Sequence, residues 1–247
     1  MKRDILLKGL VEICVKAYSL KNVTVLLLVG TFLLCACDNE IKSTEDLMKE
    51  ISSRYNGKWF TQLKFSQTVY NYENDSLVGT EINDEEYSFP SNLIIYLTPG
   101  DTSNRYICRN DSILIYKNNE LDSVEQATHD AIILSMDIYN MKFDEIMKRW
   151  EDLPYDINKF HERVDNGRKV YVIGAEKGDS ISNQAWFDAE HLYFIKVIKK
   201  RKIGLRETIF TDYMSLGDKG WVEQEVIFKL NGKVFMREKY FNIQVIQ

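Results

Sequence analysis

Trp59-Phe60-Thr61-Gln62-Leu63-Lys64-Phe65-Ser66-Gln67-Thr68-Val69-Tyr70 is the stretch that decides the fold. Trp59, Thr61, Leu63, Phe65, Gln67 and Val69 fall on one face of an extended chain, and Phe60, Gln62, Lys64, Ser66, Thr68 and Tyr70 on the other. A period of two over this length predicts a long strand with one face against a core.

Downstream, further strands are expected at Thr80 to Phe89, Leu93 to Thr98, Arg105 to Arg109, Ser112 to Tyr116, Lys169 to Ile173 and Gln184 to Asp188. Others follow at Leu192 to Ile198, Arg206 to Met214, Trp221 to Leu230 and Val234 to Gln244. Asn166-Gly167 and Asn231-Gly232 are hairpin dipeptides of the type I′ kind. Upstream, Ser43 is an N-cap candidate for a helix whose apolar stripe is Leu47, Met48, Ile51 and Tyr55, ending at Gly57. Helical character returns only at Ala127 to Tyr139 and Phe143 to Trp150.

A sheet of about ten antiparallel strands is near the size at which open sheets curl, and three short helices cannot cover both of its faces. A strongly curved or partly closed barrel, with the helices at its mouth or concave side, solves that problem. The apolar rows Leu93, Ile95, Leu97 and Ile113, Ile115 would then line a ligand cavity or fill a packed core, and a core is the commoner use of such rows.

The N-terminal region carries an apolar run, Val23 to Leu34, followed by Leu34-Cys35-Ala36-Cys37. A short apolar segment ending in a small residue and a cysteine resembles a bacterial lipoprotein signal, with residues 1–36 removed and Cys37 lipidated. The run is too short for the ~20 residues that span a bilayer, so the acyl chains would be the anchor. Residues 37–43 then form a lipidated tether and 44–247 a single domain. The segment before the run is long for a signal, and initiation at Leu20 on a non-standard start codon would give a compact one.

Removing residues 1–36 takes away Lys2, Arg3, Lys8, Lys16 and Lys21 but only Asp4 and Glu12, which moves the net charge from -5 to -8. An acidic domain is a poor nucleic-acid partner, and Lys199-Lys200-Arg201-Lys202 reads as a solvated strand end. Cys108 has no partner in the mature chain and reads as a buried, inert thiol.

Four stretches resemble the outer-membrane lipoprotein-sorting superfamily of LolA/LolB type. They are Leu63-Lys64-Phe65-Ser66-Gln67, Phe89-Pro90-Ser91-Asn92-Leu93, Arg109 to Tyr116, and Trp186-Phe187-Asp188 with Thr208 to Tyr213. The resemblance implies a mostly β (α+β) fold: an incomplete, strongly curved antiparallel β-barrel with an N-terminal helix and a short helical lid. It implies lipid or lipoprotein acyl chains as ligands, a periplasmic carrier protein as partner, and a lipid-anchored place in the cell envelope at the outer membrane. Leu63, Phe65, Leu93, Ile95, Leu97, Ile113 and Ile115 are the expected lining. One departure is Phe89, which stands where the family's carriers have an arginine before the proline, so a latch built on that arginine is not expected here.

Chemistry finds little support in the sequence. His129-Asp130 lacks further metal ligands at fitting spacing, His161 and His191 stand alone, and Glu81, Asp84, Glu85 and Glu86 read as a solvated strand or turn. No nucleophile elbow or phosphate-binding loop is present, so neither an enzyme nor a cofactor is expected. The competing reading is a surface-exposed lipoprotein that binds proteins or glycans, suggested by the acidic Asp38-Asn39-Glu40 after the cysteine.

Overall fold

A computed structural model describes residues 40–109 and 111–246. The apolar run, Cys37 and the boundary at residue 36 lie outside the described residues. Helix α1 (Thr44–Tyr55) starts as its sequence demands: the Ser43 hydroxyl accepts from the Asp46 N–H at 3.0 Å, and the Asp46 carboxylate accepts from the Lys42 N–H at 3.1 Å. Its Leu47, Met48 and Ile51 are fully buried.

The chain then builds one 13-stranded antiparallel sheet from two meanders. The first comprises β1 (Gln62–Glu73), β2 (Ser76–Ser88), β3 (Asn92–Thr98), β4 (Asp101–Arg109), β5 (Ser112–Lys117) and β6 (Glu120–Gln126). The second comprises β7 (Phe160–Asp165), β8 (Arg168–Ile173), β9 (Gln184–Asp188), β10 (Phe194–Arg201), β11 (Gly204–Thr211), β14 (Glu225–Leu230) and β15 (Lys233–Val245). The short pair β12 (Met214–Ser215) and β13 (Trp221–Val222) forms a separate ribbon. Strand β15 returns to pair with β1, setting Gln67 opposite Tyr240 and Val69 opposite Glu238. The spatial order β6-β5-β4-β3-β2-β1-β15-β14-β11-β10-β9-β8-β7 leaves β6 and β7 as edges. The sheet does not close.

Between the edges runs a helical connection. Asp130–Ile132 is α-helical, Ile133–Asp137 is a π-helix, Ile138–Asn140 is 3₁₀, and α2 (Phe143–Trp150) follows. Trp150 Nε1 donates to the Met48 sulfur at 3.1 Å and so ties α2 to α1. Among the described residues no helix is long and apolar enough to cross a membrane.

Several expectations are corrected. Strand β1 begins at Gln62, and Trp59 and Phe60 are both buried instead of facing opposite ways, with Trp59 stacked on Tyr139 at 4.1 Å. Strands β6 and β7 carry no apolar alternation because they are edges, with Leu121, Val124 and Val164 exposed. The expected Trp221 to Leu230 strand is broken at Glu223-Gln224, which lie between β13 and β14. Asn166-Gly167 and Asn231-Gly232 do turn with positive φ, but so do Asn74-Asp75 and Asn118-Asn119, which join β1 to β2 and β5 to β6 without glycine.

Candidate functional site

The inward faces of both meanders and the start of the helical connection surround a cavity of about 570 Å³. This is within the ~300–1,000 Å³ usual for small-molecule sites. The first meander contributes Phe65, Leu93, Ile95 and Ile113, and the second Val197, Phe210, Val226 and Phe228. Ala131, Ile132 and Met136 of the helical connection complete the apolar wall. Antiparallel pairing makes these rows: Tyr87 faces Leu93, which faces Cys108, which faces Ile113, so each strand delivers its residue at the same level.

Two buried aspartates fasten the helical connection across this space. Asp130 accepts from the Lys199 ammonium on β10 and from the Tyr155 hydroxyl, while the adjacent His129 Nε2 donates to the Ser112 carbonyl at 3.0 Å. Asp137, at the end of the π-helix, accepts from the Tyr87 hydroxyl at 2.6 Å and the Ser91 N–H at 2.9 Å, and the Ser91 hydroxyl also donates to it. The connection thus holds the turn after the Phe89-Pro90 peptide through an acid on the helical side. His129 and Asp130 therefore serve packing, and among the described residues no three His, Cys, Asp or Glu side chains group as a metal site.

The cavity also has a polar end. Glu85 is 4% exposed and Glu223 3%, and the half-buried Glu238 also lines the cavity. Burial holds Glu85 well above the usual carboxylate range, with Glu238 and Glu223 adding repulsion. Burial likewise pushes Glu223 and Glu238 each up to about 7. Glu238 accepts a long 3.4 Å hydrogen bond from the Tyr240 hydroxyl. The Cys108 thiol on the same wall is pushed up to about 11 by burial and is inert at neutral pH.

No protein-family model matches the chain. Among solved structures, a DUF1329 family protein from Desulfovibrio piger superposes with a TM-score of 0.53 at 12% identity, over 82% of this chain and 91% of the other. A domain assigned to outer membrane lipoprotein sorting from Vibrio parahaemolyticus superposes at 0.52 and 15% identity, over 81% and 91%. This chain shares their fold. Among curated proteins, FMN-dependent NADH:quinone oxidoreductase 2 of Colwellia psychrerythraea is 23% identical over 149 residues, or 56% of this chain. The match spans 63% of that protein's length.

Of the residues expected from the sequence, Phe65, Leu93, Ile95 and Ile113 meet at the cavity wall. Leu63 is fully buried in the core, and Leu97 and Ile115 are half-buried on their strands without lining the cavity. The expectation of a solvated acidic run fails at Glu85, which alternation turns inward between Asn83 and Tyr87 while Glu81 remains exposed. The basic run is a solvated strand end at Lys200, Arg201 and Lys202, which are exposed, and departs from that reading at Lys199, which is half-buried in its ion pair with Asp130. Glu223 and Glu238 were not singled out; the signal available was Gln67, a polar residue on the apolar face of the first strand.

Proposed function

We propose that the chain is an envelope lipoprotein, acyl-anchored at Cys37, whose sheet forms a half-open barrel that takes lipid or lipoprotein acyl chains into its apolar cavity under a helical lid. The observation that carries this reading is the cavity itself, lined from both meanders and from the helical connection. Walls supplied by β5 and by β10, far apart in strand order, call for a bent sheet. Its apolar surface suits hydrocarbon, whose burial is favourable by ~0.8 kcal/mol per methylene before the ordering cost. The sorting-type fold of the Vibrio domain supports a role in lipoprotein sorting or lipid handling at the outer membrane.

Binding here needs no covalent step. The flavin named for the Colwellia protein is not carried over, because that match is 23% identical and covers 56% of this chain.

The test is native mass spectrometry with lipid extraction on gently purified protein, beside the cavity-filling variant Ile95→Trp. Bound lipid in the parent, absent from a still-folded variant, is expected. An empty parent that ignores diacyl lipopeptide would shift the reading to a surface lipoprotein acting as a protein- or glycan-interaction module.

A further inference from the structure

The polar end of the cavity holds more hydrogen-bond acceptors than donors. Glu85 has no hydrogen-bond or ion-pair partner among the described residues, although it is almost wholly buried and lines the cavity. Behind the cavity wall, and not lining it, Asn83 Oδ1 and Gln67 Oε1 are buried without a donor, and these two residues face each other across β1 and β2. Glu223 and Glu238 line the same space. Buried polar groups are normally satisfied, and a buried carboxyl on the cavity wall with no donor of its own calls for one from outside the chain.

No cation of the cavity is a partner of Glu85, although Arg206 acts electrostatically on Glu238. Lys199 is committed to Asp130, and Arg206 lies over the rings of Phe228 and Phe235, 5.5 and 5.6 Å from their centres. With Arg201, these three stand at the β10–β11 hairpin end, where Lys199 pairs with Arg206 in register. His129 is held by the Ser112 carbonyl. A metal ion is not the missing donor either, because the carboxylates do not converge as ligands.

We propose that the cavity recognises an amphiphile with a protonated primary amine, its hydrocarbon against Phe65, Leu93, Ile95 and Ile113 and its ammonium on Glu85, with Glu223 and Glu238 adding negative charge around it. An ammonium offers three donors and a charge, which matches a site that has acceptors and acids to spare. The inference rests on the acyl-cavity reading and adds the head-group class. Binding the cation favours ionised carboxyls, so affinity for the amine rises with pH across neutrality, whereas a neutral ligand of equal chain length does not respond.

The experiment titrates the full chain with dodecylamine, dodecanol and dodecanoate, each below its aggregation concentration, at pH 6 and pH 8. At pH 8 the amine is expected to bind roughly tenfold or more tighter than the alcohol, with a smaller margin at pH 6. Glu85→Gln removes that margin and keeps dodecanol affinity; Glu238→Gln, on β15 beyond β1, reduces it. Equal affinity for amine and alcohol, or preference for dodecanoate, overturns the amine site while leaving the cavity standing. Binding of none of the three overturns the acyl-cavity reading and the amine site with it.

Discussion

The two wings of the sheet are built alike and covered differently. In the second meander, β9 is buried along its whole length, β8 over its last four residues and β10 at four of its eight, with Phe187, Phe194, Trp186 and Ile173 in the core. In the first meander, β3, β4 and β5 are mostly half-buried and β6 is largely exposed. The helical connection makes the difference. Tyr139 packs into the second wing, its hydroxyl accepting from the Phe194 N–H at 2.7 Å, while elsewhere the connection leaves open space walled by Leu93, Ile95 and Ile113 of the first wing and by Val197, Phe210 and Val226 of the second. A cavity exists because three short helical pieces cannot cover thirteen strands. Uneven cover, not an unusual strand sequence, separates core from cavity wall.

This contrast can be broken experimentally, and the largest effect is expected in the covered wing. Phe194→Ala should lower stability by about 3–5 kcal/mol, whereas Ile95→Ala on the cavity wall should cost under about 2 kcal/mol, because a side chain already facing space leaves little new void. Paired urea melts decide it, and equal losses would mean that the first wing is as tightly packed as the second.

Next in size is the fastening of the helical connection. Asp137→Ala removes the acceptor shared by Tyr87 and Ser91 and should cost about 2–3 kcal/mol. Faster amide exchange should follow in residues 130–140, with little change in β8 and β9. Uniform acceleration throughout the sheet would show that the connection is not a separable cover.

A smaller effect comes from pH. Glu223 and Glu238 have folded pKa values near 7, above the ordinary value of 4.5, so the folded state holds protons that the unfolded chain has released. Their contribution is complete below pH 4.5 and is lost as pH rises through about 7. Ligand-free protein should therefore melt at a lower temperature at pH 8 than at pH 5, and Glu223→Gln with Glu238→Gln should flatten that slope. A slope unchanged in the double variant would place its origin elsewhere. The smallest change is expected at the open edge, where Val124→Lys on β6 should shift stability by under about 0.5 kcal/mol, as measured by the urea midpoint.

Local chemistry made much of the sheet legible. Gln184 to Asp188 was read with its observed bounds because a short apolar run with no edge is marked by its own residues. Asn-Gly at 166–167 and 231–232 announced two hairpins, while Asn118-Asn119 concealed a third, since asparagine tolerates positive φ but does not advertise it as glycine does. β6 went unread with that turn. The site was half-legible: alternation found Phe65, Leu93, Ile95 and Ile113, yet the same rule ran on to Leu63, Leu97 and Ile115, which sit at levels where the wall is core or rim.

The sequence by itself determined the antiparallel sheet, its hairpins, the N-terminal helix and the apolar rows, because alternation, capping and turn chemistry act within a few residues. Only the tertiary structure decided that the sheet has thirteen strands with free edges, that β15 returns to β1, and that the helical connection ends on Asp137. It also gathered Glu85, Glu223 and Glu238 around one cavity. Those outcomes depend on contacts between residues far apart in the chain, and no local pattern carries the burial that turns a strand carboxylate into an interior acid.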